Sequence, residues 1–297
     1  MLDFSWVDVF AARPYAGNQL AVFSAPADLP EEAMRLITRE MNHSETTFLQ
    51  PPAVPQADGR VRIFIPTLPL AEEIPFAGHP ILGTACVAAP PEGGMIQLQT
   101  GARIITVCVQ PLAQDRWMAR MSQPLPRVAG TIEARAELAA ALGADLCPDL
   151  PVEAVDNGMQ TVIIPLASLA EVQQAQPDPG RLRALLGRRG LCTLVFAPGG
   201  IDPAADVHCR VFSPYDLVVE DPATGSANGP LGEYLVRHGV VAGPVIRSEQ
   251  GHSVGRPSLL QTEVERYGGR TYSVYVSGEV HLVGRGGFRV PVRESYI

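Results

Sequence analysis

The chain has 297 residues, of which 46% are hydrophobic and 18% charged, and it carries a formal net charge of −8 at pH 7. That length holds two domains with full cores, and the acidic balance argues against a nucleic-acid partner. All 23 basic residues are Arg, which removes both the lysine of Schiff-base (pyridoxal phosphate) chemistry and the lysine of a P-loop.

No apolar run approaches a membrane span. The start, Met1-Leu-Asp-Phe-Ser-Trp6, lacks the basic and apolar regions of a signal peptide. A cytoplasmic chain without a membrane partner is expected. Five scattered cysteines with no C-x-x-C, and six histidines without ligand spacing, give no ground for a disulfide framework or a metal site.

In chain order, Ser5–Phe10 alternates as a strand, Arg13–Asn18 turns it, and Gln19–Phe23 returns. Pro30 opens a helix with Glu31 and Glu32 in its first turn and an apolar stripe of Ala33, Ile37 and Met41, ending near Asn42-His43. Thr46, Thr47 and Phe48 favour a strand, so Glu45 stands at a helix-to-strand junction, where scaffolds commonly place catalytic groups; a solvated loop glutamate is the plainer alternative. Val61–Ile65 is a strand, and Gly78-His79-Pro80 enters a helix running to Ala88. That helix is small and apolar nearly all round, so it must be enclosed, as by a strongly curved sheet. His79 also fits a capped core histidine.

Met95–Gln99, Arg103–Val109 and Trp117–Met121 read as strands, Pro124 and Pro126 as a domain boundary, and Thr131–Leu142 as a helix stopped by Gly143. Strands over Val152–Asp156, Thr161–Pro165, Thr193–Phe196 and Val207–Phe212 lead to a second central helix, with Leu166–Gly187 helical or looped between them. Gly243–Gly251, Gly255–Ser258, Tyr272–Val276 and Val280–Val283 supply further strands, with Phe288–Arg293 a candidate last one.

The second helix follows Asp221-Pro-Ala-Thr-Gly-Ser-Ala-Asn228. Its exposed N–H groups and positive dipole end make an anion site, although an ordinary helix with Ser226 as N-cap and Gly239 as stop fits these residues too. A second copy shifts the balance. Glu73-Ile-Pro75-Phe-Ala-Gly78 and Glu220-Asp-Pro222-Ala-Thr-Gly225 share Glu-x-Pro-x-x-Gly. Upstream, Arg62-Ile-Phe64-Ile-Pro66 and Arg210-Val-Phe212-Ser-Pro214 share Arg-(Ile/Val)-Phe-x-Pro. Two frames in the same order, half a chain apart, indicate one duplication. The expectation is two similar domains, residues 1–123 with 284–297 returning, and residues 127–283, whose helix N-termini at Gly78-His79 and Gly225-Ser226 face one cleft.

Together, Asn18-Gln-Leu-Ala-Val-Phe23, His43-Ser-Glu45-Thr-Thr-Phe-Leu49, Phe76-Ala-Gly-His79-Pro, Asp221-Pro-Ala-Thr-Gly-Ser226-Ala and Gln250-Gly251…Gly255-Arg-Pro-Ser258 resemble the PhzF-like phenazine-biosynthesis family over nearly the whole chain. The resemblance implies an α+β fold of diaminopimelate-epimerase type, two pseudo-symmetric domains each a curved sheet around a central helix, with the ligand between them. It also implies a cytoplasmic homodimer without cofactor or metal, acting on a small carboxylate-bearing substrate. By motif, Glu45 would be the acid/base that moves a proton between ring carbons. His79, Asp221 and Ser226 would orient the substrate, with backbone N–H groups lent by Gly78 and Gly225. Related epimerases carry cysteines at the positions of His79 and Ser226, and a Ser hydroxyl without an activating base does not replace a thiolate. Two-thiol racemisation is therefore not expected. An isomerase is the leading reading; an epimerase working through Glu45 and a non-catalytic small-molecule binder on the same scaffold are the alternatives.

Overall fold

A computed structural model describes residues 1–67, 70–188, 192–215 and 220–290. The chain forms two compact units, one of Met1–Ser122 with the segment from Ser277 onward, the other Gln123–Val276. Among the described residues no helix is long and apolar enough to cross a membrane.

The first unit holds β1 (Leu2–Val9), β2 (Asn18–Ser24), α1 (Glu31–Met41), β3 (Glu45–Gln50), β4 (Gly59–Ile65), β5 (Glu72–Ile74), α2 (Gly78–Ala88), β6 (Gly94–Gln99), β7 (Ile104–Ala113) and β8 (Arg116–Gln123). Most neighbours pair antiparallel, but β2–β3 and β4–β6 are parallel. Successive residues of a strand face opposite sides of its sheet, and β3 shows the consequence. Thr47 Oγ1 lies 2.9 Å from Thr84 Oγ1 on α2, while Phe48 joins Phe23, Phe64, Met34 and Ile37 under α1. Helix α1 stops where Asn42 turns left-handed at φ 48°.

Helix α2 (GHPILGTACVA) is buried from Gly78 to Cys86. Its Gly and Pro content gives little intrinsic helix preference, so enclosure by β1–β4, β6 and β7 must hold it. Gly83 permits the approach: a Cβ there would come within 2.6 Å of Leu20 Cδ2.

The second unit repeats the plan with β9 (Arg127–Thr131), α3 (Arg135–Leu142), β10 (Glu153–Asp156), β11 (Gln160–Pro165), α4 (Leu169–Gln174), α5 (Pro179–Leu186), β12 (Cys192–Pro198), β13 (Val207–Phe212), β14 (Glu220–Asp221), α6 (Gly225–Arg237), β15 (Val245–Gln250) and β16 (Ser258–Tyr267). A final strand, β17 (Arg270–Phe288), carries the chain back into the first unit. The parallel pairs recur as β11–β12 and β13–β15. One face of these strands (Ile163, Leu194, Val211) packs on α6, and the other (Val162, Ile164, Val195) packs with Leu138 of α3, Val172 of α4 and Leu182 of α5. Gly232 brings α6 against β16, where a Cβ would meet Thr262 Cγ2 at 2.5 Å.

The two sequence frames become the same structure twice. Phe64 pairs with Glu73 across β4–β5, and Phe212 with Glu220 across β13–β14. Arg62 donates Nε to Glu73 Oε1 at 2.8 Å and Nη2 to Oε2. Arg210 repeats the fork on Glu220 at 2.9 and 2.8 Å. Each guanidinium also lies over its own Phe ring, at 5.3 Å for Arg62 and 4.9 Å for Arg210.

Four sequence expectations are corrected. The helix expected from Thr131 begins at Arg135, and Arg127–Thr131 is instead a strand on β10. Ser226 is the second residue of α6, whose cap position is Thr224, so it is no N-cap. Tyr272–Val276 and Val280–Val283 are one continuous strand. The strand expected over Gly255–Ser258 instead begins at Ser258 and runs to Tyr267 as β16. The expected Phe288–Arg293 strand runs partly outside the described residues; Phe288 is the last residue of β17.

Candidate active site

In the first unit, the starts of β2, β3 and α2 converge. The parallel register sets Leu20 beside Glu45, so Asn18 and Glu45 open their strands at the same end. His79, in the first turn of α2, reaches both. Asn18 Nδ2 donates to His79 Nδ1 at 3.1 Å. The other ring nitrogen, Nε2, lies 3.5 Å from Glu45 Oε2.

Charge at this site is set by burial. His79 is 2% exposed. Loss of water, with the neighbouring His43 as a second cause, holds its pKa down to about 3 against the pull of a hydrogen bond to the Gln19 backbone. The ring is neutral near pH 7, and the contact is a carboxyl group facing a neutral imidazole rather than an ion pair. His43 is itself buried and packs edge-on against Trp6, with ring centroids 4.7 Å apart. Glu45 keeps partial access, its side chain 16% exposed. A carboxyl group beside a neutral imidazole and partly open to solvent can take a proton and give it back.

In the second unit, Asp221 ends β14, and Gly225 and Ser226 open α6. Neither α2 nor α6 has a side-chain cap at its N-terminus, leaving first-turn N–H groups for an anion. Helix α6 contains Pro230, which has no N–H to offer the Ser226 carbonyl four residues earlier. Asn157 Nδ2 supplies the bond at 2.9 Å, and Gln123 Nε2 holds the Gly225 carbonyl at 2.8 Å. The first turn of α6 is therefore fixed from outside by two buried amides. Thr224 Oγ1 donates to Asp221 Oδ2.

Asn18, His43, Thr224 and Gln250 belong to these two stations, and site assignment from sequence passed over them. All four lie within or beside the quoted motifs, the one signal that could have found them.

The one group of candidate metal ligands among the described residues is His208, Glu249 and His252, with ligand atoms within 4.8 Å of one another. Glu249 is already engaged. Oε1 accepts from His208 Nδ1 at 2.7 Å and from the Ile201 N–H, and Oε2 accepts from the Asp202 N–H at 3.0 Å. Glu249, backed by His208, fastens the turn at Ile201–Asp202.

A family model described as phenazine biosynthesis-like protein (PhzC-PhzF) matches residues 7–286. The chain belongs to that family. Trans-2,3-dihydro-3-hydroxyanthranilate isomerase from Pseudomonas aeruginosa is 40% identical over 92% of this chain and 94% of its own length. The enzyme of that name from Pseudomonas fluorescens is 37% identical over 96% and 99%. A PhzF-family crystal structure from Bacillus anthracis superposes with a TM-score of 0.85, covering 96% of this chain and 98% of that one at 23% identity. This last match shows the α+β fold alone; the named relatives make the chain a PhzF-like isomerase.

Proposed function

We propose that the chain isomerises trans-2,3-dihydro-3-hydroxyanthranilate or a closely similar ring carboxylate, with Glu45 as the proton-transfer group. The observation that carries this is Glu45 Oε2 placed 3.5 Å from a neutral, buried His79 at the head of α2. The substrate comes from the relatives at 37 and 40% identity. In the reaction one ring C–H bond breaks, its proton passes to Glu45, the double bonds shift, and a new C–H bond forms elsewhere on the ring. No electrons leave the substrate. In the first unit the Gly78 N–H suits a carboxylate, with His79 as the orienting group beside it; in the second unit the Gly225 N–H suits a carboxylate, with Asp221 and Ser226 as the orienting groups beside it.

The test is incubation of the chain with that substrate in heavy water, followed by mass spectrometry and NMR. Isomer carrying deuterium at the new position is expected. General acid–base groups contribute about 10²- to 10⁴-fold, so Glu45→Gln should bind substrate and lose turnover by that order. Deuterium entering only the original carbon would point to an epimerase. Full turnover in Glu45→Gln would remove Glu45 from the role.

A further inference from the structure

The substrate-orienting part given to Asp221 depends on which way its hydrogen bonds run, and the second unit determines that direction. Gln250, on β15, is 0% exposed. Its Nε2 donates to the Asp221 carbonyl at 2.7 Å, and its Oε1 accepts from the Thr224 backbone N–H at 3.2 Å and from Asn228 Nδ2 at 3.4 Å. A main-chain carbonyl only accepts and a main-chain N–H only donates, so the two ends of the amide cannot be exchanged. Gln250 Nε2 also donates to Thr224 Oγ1 at 3.1 Å. That hydroxyl has one proton, and it points along the 2.5 Å contact to Asp221 Oδ2.

We infer that Gln250 and Thr224 are positioning residues that hold Asp221 as an ionised hydrogen-bond acceptor in one orientation. This rests on the reading of Asp221 as a substrate-orienting group. A carboxylate that accepts a bond from a donor with fixed direction is favoured in its charged form. Asp221 is then an acceptor for a substrate O–H or N–H, and it is not the acid that returns the proton. Glu220 is forked to Arg210, Glu249 is held by His208 and two backbone N–H groups, and burial pushes the Cys209 thiol up, leaving it neutral 3.9 Å from Gln250 Oε1. His252 lies beyond, with its ring 5.4 Å from that of His208.

Thr224→Val keeps the shape and removes the donor; Thr224→Ser keeps the donor; Gln250→Glu removes the donor behind it. Each is compared with the parent in two measurements. Carbon NMR of the Asp221 carboxyl in the ligand-free protein follows its titration without any substrate. The pH profile of kcat/KM on trans-2,3-dihydro-3-hydroxyanthranilate follows the acid limb. Loss of a hydrogen bond to a charged group corresponds to about one to two pH units. Thr224→Val should therefore move both midpoints upward by that amount, Gln250→Glu should move them the same way, and Thr224→Ser should regain the parental values. A Thr224→Val protein that is folded by circular dichroism and titrates like the parent would overturn the inference. If Thr224→Val does not fold, Thr224→Ala is read by the same two outcomes. NMR shifts as expected without any turnover would leave the positioning intact and count against the proposed reaction.

Discussion

His79 is kept neutral by the same burial that places it, and this has a cost in acid. Its folded value near 3 lies below the 6.5 of an ordinary imidazole, so the unfolded chain takes the proton first. Above pH 6.5 neither state is protonated and the group contributes nothing. Between 6.5 and 3 stability falls by about 1.4 kcal/mol per pH unit, and below 3 the loss is complete. Urea unfolding at pH 7 and pH 5 should show His79→Gln losing about 2 kcal/mol less than the parent over that interval; equal losses would mean the ring is not held neutral. Glu45→Asp shortens the reach by one methylene, and misplacement of about 1 Å costs about 10²-fold, so it should be impaired less than Glu45→Gln. For Ser226→Ala, loss of one neutral hydrogen bond, about 0.5–1.5 kcal/mol, should slow turnover about tenfold or less, and a covalent Ser226 adduct would contradict its orienting role. Glu45 and His79 were legible as residues standing at element starts. Asn18, 61 positions from His79, was not, because only the folded register brings the two strand starts to the helix.

The paired Arg–Glu forks show how a sequence repeat becomes a packing device, and how the copies diverged. Arg62 adds Glu31 of α1 as a third anchor and stays near solvent, with Glu73 32% exposed. Arg210 instead donates Nη1 to the carbonyls of Val172 and Ala175 at the end of α4, at 3.0 and 2.7 Å, and its pair is 8% and 14% exposed. Removing one partner of a buried pair costs about 3–5 kcal/mol, whereas exposed pairs contribute about 1 kcal/mol or less. Arg210→Met should therefore destabilise by roughly threefold more than Arg62→Met in urea titrations, and matching losses would mean the carbonyl anchors do not matter. Elements were legible where one face is buried. Strand β9 was misread because its residues are mostly exposed and pairing with β10 decides their conformation. Strand β17 reads as broken at Gly278 and Gly284, yet it runs through Gly284 because β1 pairs along Val280–Phe288, with a bulge between Trp6 and Val7.

At the level of the whole molecule, the duplication was visible in the sequence, and Pro124 and Pro126 mark the first division beside Gln123, while the second carries no linker signature because it falls inside β17. The chain leaves the first unit at Ser122 and returns at Ser277, so that unit is completed by the last part of the sequence. The returning strand pairs with β1 from Leu2↔Phe288 to Val9↔Val280. It also brings Phe288 within 5.6 Å of Phe23 and Glu279 onto the Arg116 guanidinium at 2.8 and 2.9 Å. Without it, β1 keeps β2 alone and the α1-side core loses an aromatic wall. Both tryptophans, Trp6 and Trp117, belong to the first unit, so indole fluorescence reports on that unit selectively. A chain ending at Val276 should have its fluorescence-detected urea transition moved to much lower urea or abolished. Val280→Pro tests the same ladder in the full-length chain: Val280 is fully buried, and proline inside a sheet removes a ladder hydrogen bond, so its transition should also move to lower urea. Parental fluorescence transitions in both proteins would show that the first unit folds without its returning strand.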